Sequence, residues 1–302
     1  MNDTYRRQVA LLIRVMPLVF RIKDFAVHGG TAINLFHRNL DRLSVDIDVT
    51  YIPIQDRNTS LEAINTHLSN LKKDIEKRVP GIKVIHKVDV WKLQCSKDGT
   101  TIKIEVNGTK RGILGATEHL QLCEKARQLF GLNCIANIVS WSQLYGGKIA
   151  AALSRQHPRD LFDCRNISPE EFASVKDGFM LCLLGSDKPI IESLQPNPID
   201  QSDALEKQFA GMSDEEFTYE DYEKSRNNLV KIVNDGLTDI DRRFLVSFEE
   251  GNPDWSLCCA GNLAEYPSVK WKRQNIESLK TKNPDKHHAG VEKLKRFLDS
   301  AE

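Results

Sequence analysis

Two short segments with strict two-residue alternation constrain the fold more than any other feature of this chain. In Ser44-Val45-Asp46-Ile47-Asp48-Val49, β-branched residues alternate with polar ones. Strand side chains point alternately to opposite faces. Val45, Ile47 and Val49 can therefore enter a core while Asp46 and Asp48 leave together on the other face. Thr101-Ile102-Lys103-Ile104-Glu105-Val106-Asn107 repeats the pattern, with Lys103, Glu105 and Asn107 opposite three apolar residues. Such segments require a sheet with one buried face and one polar face.

Two carboxylates at that spacing repel each other unless a cation stands between them. A hard divalent ion that takes oxygen ligands, Mg²⁺ or Mn²⁺, suits the pair. If the second strand lies beside the first, Glu105 joins Asp46 and Asp48. Three converging carboxylates can hold two ions about 3.5–4 Å apart, the arrangement that serves phosphoryl and nucleotidyl transfer. Asp-x-Asp alone is more often an exposed strand face, so the neighbouring residues carry the argument. Upstream, Gly29-Gly30-Thr31 falls where a short strand runs into a helix. Glycines there let backbone approach a phosphate, and a helix start offers unbonded N–H groups. By itself this is equally a tight turn with a Thr cap.

The order of elements divides the chain near residue 140. Before it, residues 5–22 read as a helix, 25–27 as a strand, 31–39 as a helix, 45–51 as a strand and 61–78 as a helix stopped by Pro80-Gly81. Residues 83–90, 91–95 and 101–107 read as strands, with a hairpin turn at Lys97-Asp98-Gly99. After it, 140–156, 169–184, 218–234, 239–248 and 291–301 carry helical periodicity, and 185–212 reads as a loop. The expectation is an α+β chain: residues 1–140 as a catalytic domain with a mixed sheet and flanking helices, 141–302 as an all-helical domain.

Charge separates in the same direction. The chain is neutral overall, but residues 1–160 hold 24 Lys/Arg against 15 Asp/Glu, leaving 18 against 27 for residues 161–302. A basic half suits a polyanionic partner, although separately solvated faces would give the same numbers. At 40% apolar and 28% charged the composition is that of an ordinary globular protein. No apolar run approaches the roughly 18 residues of a membrane span. Arg14 interrupts the N-terminal stretch Leu11–Phe20, which reads as a core helix and not a leader. The expected location is the cytoplasm. The seven cysteines include no Cys-x-x-Cys, and adjacent Cys258-Cys259 are poorly spaced for zinc, so they read as buried apolar residues. His287-His288 lie in a polar stretch and read as surface residues.

A basic helix follows the boundary. Lys148, Arg155 and Arg159 share one face if the helix is continuous, a face suited to a triphosphate. Pro158 is expected to break it and start a new helix at Arg159–Asp163. Arg155, Arg159, Asp160 and Asp163 could equally form structural ion pairs, and for Asp160 that reading has at least equal weight. Gly146-Gly147-Lys148 is no phosphate loop, because Ser142 and Ile149 stand where that motif needs Gly and Ser or Thr.

Taken together these motifs resemble the AbiEii/AbiGii family of nucleotidyltransferase toxins of bacterial type IV toxin–antitoxin systems. The matching residues are Gly29-Gly30-Thr31, Ser44-Val45-Asp46-Ile47-Asp48, Glu105 within Lys103-Ile104-Glu105, then Lys148, Arg155 and Arg159-Asp160-Leu161-Phe162-Asp163. Further matches are Arg242-Arg243-Phe244-Leu245, Pro253-Asp254-Trp255, Ala264-Glu265-Tyr266-Pro267 and Lys270-Trp271-Lys272. Thr31 stands where many polymerase beta-like enzymes have Ser; both carry a hydroxyl. The resemblance implies a polymerase beta-like nucleotidyltransferase fold with a helical partner domain. It implies transfer of a nucleoside monophosphate from an NTP to an acceptor, the 3′ end of tRNA in some members, with pyrophosphate leaving and growth inhibited. It also implies a cognate antitoxin. On this reading Asp46, Asp48 and Glu105 are metal ligands. Asp46, Asp48, Glu105, Lys148 and Asp163 form the catalytic group. Gly29, Gly30, Thr31, Ser44, Lys148, Arg155 and Arg159 bind nucleotide. A protein or small-molecule hydroxyl as acceptor, and a catalytically silent nucleotide-binding module, stay open as alternatives.

Overall fold

The computed structural model describes residues 1–258 and 260–300. The chain forms two compact units, Met1–Ser140 with Phe209–Glu216 and Trp141–Gln208 with Phe217–Glu302.

The first unit opens with α1 (Asp3–Phe20), capped by the Asn2 side chain, which accepts from the Thr4 N–H. Val9, Leu12, Ile13, Met16 and Val19 form its buried stripe and Arg14 stays exposed, so Leu11–Phe20 is core helix. Next come β1 (Phe25–His28), α2 (Gly29–Ala32), β2 (Asp46–Tyr51), α3 (Arg57–Arg78), β3 (Lys83–Lys87), β4 (Lys92–Lys97) and β5 (Thr100–Val106). β6 (Glu118–Gln121), α4 (Glu124–Phe130) and β7 (Ile135–Ile138) follow. One mixed sheet holds all seven strands in the order β3-β4-β5-β2-β1-β7-β6. β2 is central, antiparallel to β1 and parallel to β5. Ile47, Val49, Leu93, Ile102 and Ile104 are fully buried on one face. There the sheet meets α1, and α3 contributes Ile64, Leu68, Leu71 and Ile75 at helical spacing.

Several elements differ from expectation. The helix expected at 31–39 is one α turn, and an inserted π turn at Ile33–His37 brings the chain to Leu40 at φ 60°. The strand expected at 83–90 stops at Lys87, because Val88–Val90 form a 3₁₀ turn ending on left-handed Trp91. β6 and β7 were not anticipated: four residues are too few for periodicity, and β6 has one apolar residue, Leu120. Segment Phe209–Glu216, within and beyond the expected loop, belongs to the first unit. Its Gly211 carbonyl accepts from Asn2, and its Met212 carbonyl from Leu43.

The second unit has no strand among its described residues. It contains α5 (Trp141–Arg155), α6 (Pro158–Cys164), α7 (Pro169–Leu184), α8 (Ile190–Leu194), α9 (Ser202–Ala204), α10 (Tyr219–Asp235), α11 (Asp239–Glu249), α12 (Pro267–Lys282) and α13 (Pro284–Asp299). α5 and α7 touch backbone to backbone. A Cβ on Gly146 would stand 2.2 Å from the Phe179 nitrogen, and one on Gly178 would stand 1.9 Å from the Ser142 carbonyl oxygen. Gly146 is therefore a packing glycine. α10 and α11 both start with capping boxes, Thr218 with Asp221 and Thr238 with Asp241. The stretch 185–212, expected as loop, contains α8, whose Ile190, Ile191 and Leu194 are buried. α12 was not anticipated, because it buries few apolar residues: Val269 and Ile276, beside Ser268 and Lys272. α13 begins at Pro284, well before the expected Val291, since Asp285, Lys286 and His288 in its first turns are exposed. Ala301, expected in this helix, lies outside the described residues. His288 is exposed as expected, whereas His287 Nε2 reaches the Glu249 carbonyl at 2.9 Å.

Among the described cysteines, Cys95, Cys134 and Cys164 are buried and none is in a disulfide; Cys259 lies outside the described residues. Burial pushes the Cys95 and Cys134 thiols up to about 12, so neither is a nucleophile at neutral pH. No described helix is long and apolar enough to cross a membrane.

Candidate active site

The predicted site residues fall into two clusters, one in each unit. In the first unit the register sets the geometry. β2 runs parallel to β5 with Asp48 opposite Glu105 and Asp46 opposite Lys103. Asp46, Asp48 and Glu105 therefore stand on one sheet face at neighbouring positions, with strands about 4.8 Å apart. All three are partly exposed, while Ile47 and Ile104 between them are fully buried.

The glycine turn is built against this face. Gly29 has φ +73°, and a Cβ there would lie 2.3 Å from Asp48 Oδ2. The position thus needs glycine for its left-handed backbone and for the approach of the Asp48 carboxylate. A Cβ on Gly30 would meet Arg42 Nη2 at 2.6 Å and Ser44 Oγ at 2.9 Å. Thr31 is completely buried. Its hydroxyl donates to the Asp46 carbonyl at 2.5 Å and meets Ser44 Oγ at 3.1 Å. In this arrangement Thr31 ties the glycine turn to the start of β2 and so fixes where the Asp-x-Asp strand begins.

Two residues near this cluster escaped the sequence reading. Lys92 on β4 lies opposite Glu105, and its Nζ is 2.7 Å from Glu105 Oε1. The signal was present: the turn at Asp98-Gly99 pairs Lys97 with Thr100, and counting one residue at a time along both strands places Lys92 against Glu105. Arg42 is buried and donates from Nη1 to the Leu43 carbonyl at 3.0 Å, its guanidinium backing the glycine turn. Nothing in the local sequence marked it.

An all-oxygen donor set at adjacent register positions suits a hard divalent cation in kind. The side chains are not gathered as a cage. Among the described residues no three His, Cys, Asp or Glu groups converge closely enough to hold a metal ion. Glu105 is turned toward Lys92 instead.

In the second unit Lys148, Asp160 and Asp163 are buried together. Lys148 Nζ is 2.8 Å from Asp160 Oδ1 and 3.1 Å from Asp163 Oδ2. Arg155 Nη2 grips Asp160 Oδ2 at 2.7 Å. Tyr145, also fully buried, donates its hydroxyl to the Asp163 carbonyl at 3.1 Å. As expected from Pro158, the helix breaks: α5 ends at Arg155, Gln156 is left-handed at φ 51°, and the His157 side chain caps α6. Arg159 therefore sits on a separate helix from Lys148 and Arg155. Asp160 takes the ion-pair role weighed for it, bridging Lys148 and Arg155.

The comparisons with known proteins agree with this architecture. Among curated proteins no sequence matches significantly. The fold is similar to that of MenT4, a nucleotidyltransferase toxin from Mycobacterium tuberculosis H37Rv. The TM-score is 0.59 at 14% identity, over 91% of this chain and 95% of that one. The sequence model of the nucleotidyl transferase AbiEii toxins of type IV toxin–antitoxin systems matches residues 10–272, which include every residue of both clusters. The chain therefore belongs to the AbiEii family of nucleotidyltransferase toxins.

Proposed function

We propose that the protein transfers a nucleoside monophosphate from an NTP to a hydroxyl at the 3′ end of tRNA. The supporting observation is the placement of Asp48 opposite Glu105, with Asp46 two residues along, against a glycine turn that only glycine can make. Asp46 and Asp48 are the assigned ligands of Mg²⁺ or Mn²⁺, and Glu105 joins them on leaving Lys92. The bound ion would supply charge neutralisation for the phosphates and for the oxygen that leaves. Gly29 and Gly30, with Ser44, let the phosphates approach backbone, and Thr31 holds that turn to β2. Lys148 is assigned to the triphosphate charge, its ammonium held by Asp160 and Asp163. Arg155 and Arg159 are assigned to the same anion.

In the reaction the acceptor hydroxyl oxygen bonds to the α-phosphorus, and the bond from that phosphorus to the bridging oxygen breaks. Pyrophosphate leaves with the electron pair, and the hydroxyl proton passes to Glu105 or to solvent. Arresting translation by blocking tRNA would give the toxic effect, and a cognate antitoxin would restrain it. The test is transfer of label from each of the four α-³²P NTPs to bulk bacterial tRNA in Mg²⁺, with Asp46→Ala as control. Label on tRNA that the variant does not produce is the expected result. Label on protein but not RNA would replace the acceptor, and no label with no pyrophosphate would overturn the enzymatic reading.

A further inference from the structure

Beyond β5, which carries Glu105, strands β4 and β3 extend the sheet to its edge, and the polar face of the three is basic. The pairings align Lys87, Lys92, Glu105 and Asp48 in one row across β3, β4, β5 and β2. The next row is Ile85, Gln94, Lys103 and Asp46, and a third is Lys83, Ser96 and Thr101. The opposite face of the same strands is core, with Val84, Leu93, Cys95, Ile102 and Ile104 buried. The three strands contain five lysines, and Glu105 is their one carboxylate. Lys92 is engaged with it. Lys83, Lys87 and Lys103 are exposed, and Ile85 between the first two is 45% exposed.

An exposed strand face can carry lysines simply to stay in water. Here Lys87 and Lys103 share register rows with the three carboxylates, and Lys83 stands in the next row on the same face, so the basic face and the reaction face are one continuous surface. A cationic surface leading to a hydroxyl-activating site fits a polyanion whose end reacts, and one apolar side chain among the lysines offers contact to a base. We propose that the polar face of β3, β4 and β5 is the track on which the RNA acceptor lies, with Lys83, Lys87 and Lys103 meeting its phosphates. The inference rests on the reading of the chain as a nucleotidyltransferase with an RNA acceptor. β3 is two strand spacings, roughly 10 Å, from β5, so the contacts fall on a short stretch near the reacting end.

The test reads binding apart from chemistry. Bulk tRNA is titrated with the full chain by fluorescence anisotropy, without NTP and with EDTA, across a range of salt. Three proteins are compared: wild type, the combined variant Lys83→Gln, Lys87→Gln, Lys103→Gln, and a charge-matched control on α12 and α13, Lys280→Gln, Lys282→Gln, Lys286→Gln. The sheet variant is expected to bind at least about tenfold more weakly, with the log–log salt slope reduced by about two to three. The control is expected to bind within about twofold of wild type. A sheet variant that binds like wild type, a control that weakens equally, or a wild type that does not bind tRNA overturns the track. If the track holds in binding but wild type transfers no nucleotide, the enzymatic reading fails alone. If the sheet variant modifies tRNA at an unchanged KM, the track fails alone.

Discussion

The two clusters are built from the same residue types and solve opposite electrostatic problems. On the sheet, Asp46, Asp48 and Glu105 stand at adjacent register positions, partly exposed, with Lys92 engaging Glu105 from the neighbouring strand. In the helical unit, Lys148 is buried between Asp160 and Asp163, and Arg155 completes the set, so two cations face two anions. The first arrangement gathers like charges where water and ions reach them. The second buries Lys148 with Asp160 and Asp163, and Arg155 reaches Asp160 from a largely exposed position, so breaking the buried pair strands an uncompensated charge. The sheet cluster is therefore suited to take up a cation from outside, and the helical cluster to hold one ammonium in a fixed place.

The largest effects should separate the clusters by what is lost. Asp48→Asn is expected to reduce nucleotide transfer on the order of 10³-fold. Its melting temperature should match or exceed wild type, because a like-charge neighbour of Glu105 is removed. Asp163→Asn should do the reverse in stability. It leaves Lys148 with one carboxylate in a buried site and should cost about 3 kcal/mol in denaturant unfolding. If Asp48→Asn destabilises as much as Asp163→Asn, the contrast between the clusters is lost.

A smaller effect probes the support of the sheet cluster. Gly29→Ala must place a side chain at φ +73° and 2.3 Å from Asp48 Oδ2. The backbone cost is about 1–2 kcal/mol, and the displaced carboxylate should lower activity well beyond what that loss of stability explains. Gly99, at φ +73° but with nothing within 4 Å, is the comparison: Gly99→Ala should show the stability cost with activity unchanged.

The smallest effect concerns an ion pair of the helical unit outside the Lys148 cluster. Burial acts to raise the Asp241 carboxyl, but its hydrogen bonds from Lys176, at 2.6 Å, and from Thr238 outweigh it and hold the group below its ordinary value. The unfolded chain takes up this proton at higher pH than the folded one. The stabilisation is thus complete above the unfolded value of roughly 4 and is lost as pH falls through the folded value. The difference in melting temperature between wild type and Asp241→Asn should be constant near neutrality and shrink below about pH 4. A difference that does not change with pH would remove Asp241 from the acid response.

The sequence made the alternating strands legible, because Ile47, Val49, Ile102 and Ile104 need burial and the charged residues between them do not. It did not make their adjacency legible. β2 and β5 are joined in parallel across β3, β4 and α3, and no local signal specifies a pairing between segments so far apart in the chain. Lys92 was legible from the hairpin count, yet it carries no motif. Thr31 read as a phosphate-side residue, and the structure gives its hydroxyl to the Asp46 carbonyl. Gly146 fits no phosphate-loop motif in the sequence, and its packing against α7 could not be read there because it depends on a helix elsewhere in the chain. α12 was missed because its buried face contains Ser268 and Lys272, and apolar periodicity cannot register such a face.

The most direct test of the contrast is to titrate Mn²⁺ into the folded protein and count bound ions by electron paramagnetic resonance. Wild type, Asp48→Asn and Asp163→Asn would be measured side by side. The account predicts saturable binding in wild type, its loss in Asp48→Asn and its retention in folded Asp163→Asn. Equal binding in wild type and Asp48→Asn would contradict the assignment of the sheet carboxylates as the metal site.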